Sequence, residues 1–499
     1  MTRAPAAMSS FRFQDPQDFK RLKHAFETAG FTDSGVLEAL QIEETPTLRE
    51  RDLPLLLHRT RCGTTLDTLI RLFLIESPCE LDTVRAAARP LSVEALADAG
   101  LVQIEGARVR AAVKVLPFKG LWLAFDSARR LQTPLRHDYV MGIGKSTLTL
   151  ANLTVRRHAR SVLDLGTGCG TQALLAAAHS EKVLAVDRNP RAVQLARFNA
   201  RLNGLDQVEC LEGDFFAPAE GRTFDLVIAN PPFVVSPEKR YIYRDSGLPA
   251  DEVCRKIVRE VPGFLNAGGY CQILCNWVHT AGRDWRERLA GWFEGTGCDV
   301  WVMRSETRDA ATYASTWIEH TERDAPERFQ ERFEQWMDYY AELGIEAVSA
   351  GLISMRRASG RATWYRAEDG PEKMLGPCGD AIVQGFTLRD FLAAMADDAS
   401  LLAARLRVSG EARLQRWLEP AAGGWADVST ELCLARGLVF SGSVDPYVAN
   451  LVAACDGRKP LGELLAEMAG SLGKNPVDLG PAFCRVVRSL IERGFLLHG

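Results

Sequence analysis

The chain has no paired-cysteine framework, no long apolar run and no surplus of charge of one sign, and each gap removes a class of protein. Twelve cysteines are scattered through 499 residues. No CxxC or CxxH pair stands beside other ligands, which argues against a disulfide-knit secreted module and against a zinc site, so no metal is expected. Buried reduced thiols are expected instead, Cys271 and Cys275 on a strand among them. No apolar stretch reaches the length that spans a bilayer, and the opening MTRAPAAMSSFRFQDPQDFK has no apolar h-region. A cytoplasmic protein without membrane contact is therefore expected. The formal net charge of −4 offers no broad field for nucleic acid or anionic membrane, although a local basic patch stays open. Apolar residues at 46% and charged residues at 25% are ordinary for a globular chain, and the length calls for two or three domains.

What is present is a change of rhythm along the chain. Phe19, Leu22, Phe26, Leu37 and Leu40 fall at helical spacing. Further helices over 66–73 and from Ser92, followed by a hairpin around Glu105-Gly106, suggest a helical and winged-helix-like domain over 1–135. From about 160, apolar strands at 161–165, 182–187, 208–214, 224–230, 270–277, 298–304 and 349–356 alternate with amphipathic helices. The helices fit 171–179, 190–203, 251–266, 284–294 and 325–343. This is an α/β, doubly wound, Rossmann-like sheet of seven strands, occupying 136–360. A mostly helical domain over 361–499 follows, with a winged-helix-like module at 446–497. Its last part, 405–499, holds eleven basic and ten acidic residues, which favours protein contact or packing over DNA.

Three successive strand ends carry residues suited to a nucleoside. The first runs into Asp164-Leu165-Gly166-Thr167-Gly168-Cys169-Gly170, a turn of little side-chain bulk at a helix N-terminus, where backbone can touch a ligand. It is not the dinucleotide fingerprint, because Thr171 stands where GxGxxG needs glycine. The second ends in Asp187-Arg188, whose carboxylate can accept both ribose hydroxyls. The third ends in Asp214-Phe215, a candidate acceptor and ring contact for adenine. Gly142-Ile143-Gly144-Lys145-Ser146-Thr147 imitates a P-loop but has Tyr139 in place of its first glycine. It reads either as a cover for the cofactor or as an ordinary loop.

The fourth strand ends in Asn230-Pro231-Pro232-Phe233. Each proline forces its predecessor into an extended conformation. The Asn230 side-chain oxygen and the Pro231 carbonyl thereby become two acceptors for one NH2 group, and Phe233 can stack on the flat group that carries it. Beyond lies Tyr241 to Gly247, with Arg244 and Asp245, read as an acceptor contact or as a solvated loop with an internal ion pair. Trp277 and Trp301 read as core.

These residues resemble the class I S-adenosylmethionine-dependent methyltransferases with an [DN]PP[YF] motif. That group includes glutamine methyltransferases of release factors, ribosomal guanine N2-methyltransferases and adenine N6-methyltransferases. The resemblance covers 140–357 and implies S-adenosyl-L-methionine as cofactor. It also implies methyl transfer to a planar amide or exocyclic amine, on a protein (release factor or ribosomal) or an RNA acceptor. Asn230, Pro231, Pro232 and Phe233 match the catalytic motif, and Asp164 to Gly170, Asp187 and Asp214 match the cofactor contacts. Val234-Val235-Ser236-Pro237 brings the chain nearest the protein-glutamine branch, though Phe233 stands where that branch usually has tyrosine. Two alternatives stay open: tailoring of a small molecule or peptide, and a partner-binding protein that holds the cofactor without turnover.

Overall fold

The computed structural model describes residues 11–43, 52–133, 137–322, 326–395 and 397–498. Its centre is an eight-stranded sheet made of β1 (Ala159–Leu165), β2 (Ser180–Asp187), β3 (Val208–Glu212), β4 (Phe224–Ala229), β5 (Leu265–Thr280), β6 (Cys298–Asp309), β7 (Ile345–Arg357) and β8 (Tyr365–Asp369). They lie in the order β8-β6-β7-β5-β4-β1-β2-β3. Strands β1 to β5 pair in parallel, while β7 is antiparallel to β5 and β6. The chain winds outward from β1 to β3, then returns to β4 and winds the other way. The carboxyl ends of β1 and β4 therefore open the crevice in which such sheets hold ligands.

Strands β1 and β4 are apolar on both faces because both are covered: Val162, Leu163, Val227 and Ile228 are fully buried. On one face Leu163, Leu184 and Val227 pack with Val253 and Ile257 of α4 and Trp285 and Leu289 of α5. The helices are α1 (Lys145–Leu153), α2 (Thr171–Ala177), α3 (Pro190–Leu202), α4 (Glu252–Glu260), α5 (Trp285–Phe293), α6 (Ala310–Glu322) and α7 (Pro326–Leu343). Helix α3 starts where the sequence dictates, with Pro190 at its first position and the Asn189 side chain accepting from the Arg191 N–H. Its Leu195, Phe198 and Leu202 join Phe13, Phe19, Phe26 and Trp122 in a second core. Burying Phe198 alone is worth roughly 2–3 kcal/mol.

That second core packs residues of the segments 11–43 and 52–126 against α3. Within them, helices Leu81–Ala88 and Val93–Asp98 precede strands Val102–Glu105 and Arg108–Ala111, and Cys79–Glu80 pairs with the latter strand. Strand Leu121–Asp126 docks on α3 through two asparagines. Asn199 and Asn203 each exchange hydrogen bonds of 2.8–2.9 Å with the backbone of Ala124 and Trp122.

Residues Asn152–Arg156 and Asp369–Gly499 form a second compact unit. Helices Pro446–Ala454, Leu461–Leu472 and Pro476–Glu492 lead to strand Leu496–His498. The strand beside it, Arg405–Val408, comes from outside the 446–497 stretch and also pairs with Asp456–Pro460. Residues 405–443 correct the expectation of a mostly helical tail. Ala412–Ala421 and Gly424–Leu434 form a long antiparallel hairpin. Gly423 and Gly424, at φ 91° and 156°, close its turn, and exposed Leu414, Leu418 and Trp425 gave no core-facing pattern to read.

Among the strands of the central sheet and its numbered helices, three elements lay outside the sequence reading. Strand β8 makes the sheet eight-stranded rather than seven-stranded. As a half-exposed edge strand, YRAED, it carries no apolar run. Helix α1 follows the glycine-rich 142–144. Helix α6 pairs with α7 in a helical hairpin inserted between β6 and β7. Trp277 and Trp301 are buried as expected, and all twelve cysteines are free, with only Cys62 exposed and Cys433 half-buried. Among the described residues no helix is long and apolar enough to cross a membrane.

Candidate active site

The turn after β1 is shaped by three left-handed glycines: Gly166 at φ 68°, Gly168 at 57° and Gly170 at 91°. They serve different ends. Gly168 faces open space, whereas a Cβ on Gly170 would lie 2.9 Å from Leu174 and 3.2 Å from Ala196 of α3. Gly170 therefore lets the turn sit against α3, and Gly168 leaves a cradle beside the N-terminus of α2. Asp164 lies beneath the turn, 1% exposed. One of its oxygens accepts from the Thr167 hydroxyl at 2.6 Å and the Ala173 N–H at 3.0 Å. Burial pushes its carboxyl up to about 7, against the pull of those two bonds. Asp164 thus fixes the turn from below, as does Asn199, which donates to the Cys169 carbonyl at 2.8 Å. Cys169 and Thr167 are buried with it.

At the end of β2, each Asp187 oxygen takes one backbone N–H, from Gly168 at 2.9 Å and from Asn189 at 2.8 Å. Each keeps a free lone pair, and the residue is half-buried at the crevice. Burial raises its pKa. The Gly213 N–H bonds the Asp187 carbonyl at 3.0 Å, so the end of β3 lies alongside. There Asp214 is exposed, and Phe215 holds a left-handed φ of 46°, a strain of the kind kept at ligand sites. The Lys256 ammonium stands 4.3 Å from the centre of its ring. Arg188 is exposed and reaches across to the carbonyls of Asp245 and Ser246, at 3.2 and 3.5 Å.

The tetrapeptide after β4 lies next to that turn: a Cβ on Gly166 would stand 3.7 Å from the Asn230 carbonyl oxygen and 3.9 Å from Pro231 Cα. Asn230 Nδ2 donates to the Ser146 hydroxyl at 3.4 Å. Among the described residues, Asn230 Oδ1 and the Pro231 carbonyl accept no hydrogen bond. Two oxygen acceptors are thus left available at the edge of a glycine-lined crevice. Phe233 is half-buried and bridges backbone to Asp245.

Beyond the motif the chain is held from outside. The Val235 N–H donates to Tyr313 of α6 at 3.2 Å, and its carbonyl accepts from Tyr340 of α7 at 2.8 Å. Asn276 of β5 donates to the same Tyr313 oxygen at 2.7 Å. In the loop read as an acceptor contact or as solvated, the charged pair is buried: Arg244 and Asp245 are each 2% exposed. The expected ion pair is there, Arg244 Nε to Asp245 at 2.7 Å, and it extends to Glu238 at 2.6 Å and from Glu238 to Arg332 at 3.3 Å. Glu238, and through it Arg332 of α7, close over charges whose composition suggested exposure.

Ser146, Gln172, Asn199, Tyr313 and Tyr340 were not singled out as site residues. Gln172, next to the glycine turn, donates to the Thr147 carbonyl at 2.9 Å. With Ser146 on Asn230, this makes 142–147 a strap between turn and tetrapeptide. The others act through partners distant in sequence and leave no local mark.

A doubly wound sheet with this turn, these strand-end carboxylates and this tetrapeptide has the architecture of a Rossmann-like methyltransferase. Family models agree: residues 142–286 match the methyltransferase small domain, while 28–112 and 384–498 each match a domain of unknown function. The chain is 34% identical over 136 residues to a protein of Methanocaldococcus jannaschii named as a putative protein N5-glutamine methyltransferase, covering 26% of this chain and 68% of that relative. It is 34% identical to a release factor glutamine methyltransferase of Geobacter sulfurreducens, over 30% of this chain and 54% of the relative. It is 39% identical to a ribosomal protein uL3 glutamine methyltransferase of Bradyrhizobium diazoefficiens, over 22% of this chain and 40% of the relative. The chain belongs to the methyltransferase small-domain family. It spans about half the length of the second and third of these relatives.

Proposed function

We propose that the chain transfers a methyl group from S-adenosylmethionine to the side-chain amide nitrogen of a glutamine in a protein. The observation that carries this is the pair of available acceptors, Asn230 Oδ1 and the Pro231 carbonyl, beside Gly166 of the cofactor turn. The names of the relatives favour glutamine among planar nitrogens.

The residues fit the cofactor. Gly168 leaves the space that a Cβ would fill, and Asp187 keeps one lone pair on each oxygen for a vicinal diol. Phe215 and Asp214 would line the base, with Thr167, Cys169 and Gly170 shaping the turn and Asp164 bracing it from below. Arg188 would close the crevice from the rim. When bound, S-adenosylmethionine would supply a methyl carbon made electrophilic by its sulfonium, the sulfur keeping the electrons of the broken S–CH3 bond as S-adenosylhomocysteine while the methylated nitrogen sheds one proton to water.

The tetrapeptide does the rest by placement. Asn230 Oδ1 and the Pro231 carbonyl accept the two N–H bonds of the target amide and turn the face of its nitrogen toward the crevice. Pro231 and Pro232 hold rigid the backbone that carries those oxygens, and Phe233 supplies a flat surface for the amide plane. Both acceptors are neutral, so the acceleration comes from holding nitrogen and methyl in line, which is worth several powers of ten.

Transfer of labelled methyl from S-adenosylmethionine into a cell extract, treated separately with protease and with RNase, tests this. Label is expected in protease-sensitive, RNase-resistant material. Asn230→Ala is expected to bind S-adenosylhomocysteine as the wild type does and to lose at least about 100-fold in transfer. Label confined to RNA would overturn the glutamine assignment, and normal turnover by Asn230→Ala would overturn the role of the tetrapeptide.

A further inference from the structure

The Asn230 carboxamide has two ends of opposite hydrogen-bonding character, and only one of them suits an NH2 acceptor. With Oδ1 forward it accepts. Rotated half a turn about its last bond, it presents its own NH2, and two donors face each other. Pro231 fixes the backbone of Asn230 but leaves that rotation free, so something else has to set it. The side-chain contact that the amide makes is to Ser146, Nδ2 to Oγ at 3.4 Å, from the first turn of α1.

Ser146 is itself held. The carbonyl of the next residue, Thr147, accepts from Gln172 Nε2 at 2.9 Å, and Gln172 is 5% exposed in the first turn of α2. Thr147 is 7% exposed. A Cβ on Gly142, at the other end of the strap, would fall 2.2 Å from the Phe125 ring, so this end is seated against the strand below it. The strap therefore meets the cofactor turn through Gln172 and the tetrapeptide through Ser146.

We infer that Ser146 is a positioning residue. Its oxygen takes the Asn230 amide N–H and keeps Oδ1 turned toward the methyl acceptor. This rests on the reading of Asn230 given above, and it adds a residue about eighty positions upstream to the specificity for an NH2-bearing acceptor.

The test compares Ser146→Ala, Ser146→Thr, Asn230→Asp and the double variant Ser146→Ala/Asn230→Asp. Each is assayed for initial rate of label transfer into the protein fraction of a cell extract, and for S-adenosylhomocysteine binding by calorimetry. Ser146→Ala is expected to lower transfer about tenfold, the weight of one neutral hydrogen bond, with cofactor affinity unchanged. Ser146→Thr keeps the hydroxyl and is expected to restore the rate. The carboxylate introduced by Asn230→Asp has two equivalent oxygens and no wrong end. Adding Ser146→Ala to Asn230→Asp is therefore expected to cost nothing further, an outcome that a merely structural serine would not give. Full activity of Ser146→Ala, an equal loss in both backgrounds, or loss of cofactor binding would each overturn the inference. If Asn230→Ala turns over normally, the reading beneath it fails instead, and no transfer by the wild type would sink both.

Discussion

The two halves of the crevice are built in opposite ways. The cofactor side is local. Asp164, Gly166, Gly168 and Gly170 lie within seven positions, and their bonds run to Thr167, Ala173 and the next strand end. The acceptor side is assembled from afar. Val235 is held by Tyr313 and Tyr340, and Arg244 closes on Glu238, which is held in turn by Arg332. One half is a turn that folds on itself, and the other is a loop clamped by a helical hairpin from the opposite end of the sheet. The first can stay the same while the second changes what it admits.

Cutting the clamp should separate the two halves most sharply. Arg244 is buried against Asp245 and Glu238, so Arg244→Ala leaves the buried Asp245 carboxylate without its cation and Glu238 with Arg332 alone. The expected cost is about 3–5 kcal/mol of stability, measured by chemical denaturation. Where the variant folds, methyl transfer should be lost and S-adenosylhomocysteine affinity retained. Joint loss of both would mean that the halves are one unit.

The cofactor side has its own lever in Asp164. Burial raises its folded pKa from 3.8 to about 7, so the native chain keeps a proton that the unfolded chain releases. That stabilisation is complete below about pH 4 and is lost as pH rises through about 7, a few kcal/mol at most. Asp164→Asn should flatten this slope in melting temperature against pH. An unchanged slope would place the titration elsewhere.

Gly170→Ala is a steric probe of the same half. Its methyl meets Leu174 and Ala196, at a φ of 91° that alanine resists. A loss of about 1–3 kcal/mol is expected, together with weakened cofactor binding. Gly168→Ala, strained by its own φ of 57° but with nothing within 4 Å, should lose less stability than Gly170→Ala yet bind cofactor no better, because its methyl fills the cradle.

This division also explains what the sequence made legible. The strands from β1 to β7, the glycine turn and the tetrapeptide are written in adjacent residues, and periodicity or proline chemistry exposes them. Phe19, Leu22 and Phe26 marked their helix for the same reason. The strap contact of Ser146 and the clamp of Tyr313 and Tyr340 depend on partners 78 to 105 positions away, which no window of local pattern covers. Composition misled at Arg244-Asp245, where charge suggested solvent and the partners that bury it came from Glu238 and α7. Strand β8 and the hairpin at 412–434 stayed hidden because their core-facing alternation is only two residues long, Tyr365 and Ala367 in one and Leu432 and Leu434 in the other.

The finest cut is a single hydroxyl. Tyr340→Phe removes the 2.8 Å bond to the Val235 carbonyl and leaves the ring packed against Trp336. The carbonyl is buried, so the expected loss is about 1–2 kcal/mol. If α7 sets the height of the segment after Phe233, the effect should fall on the KM for the protein acceptor and on the transfer rate, with cofactor affinity untouched. Tyr313→Phe offers the matched comparison, since that oxygen accepts from both Val235 and Asn276 and its loss strands two donors. A larger defect in Tyr313→Phe than in Tyr340→Phe is expected from the count of orphaned groups alone. Equal defects would mean that the hairpin holds the loop by packing rather than by its hydroxyls.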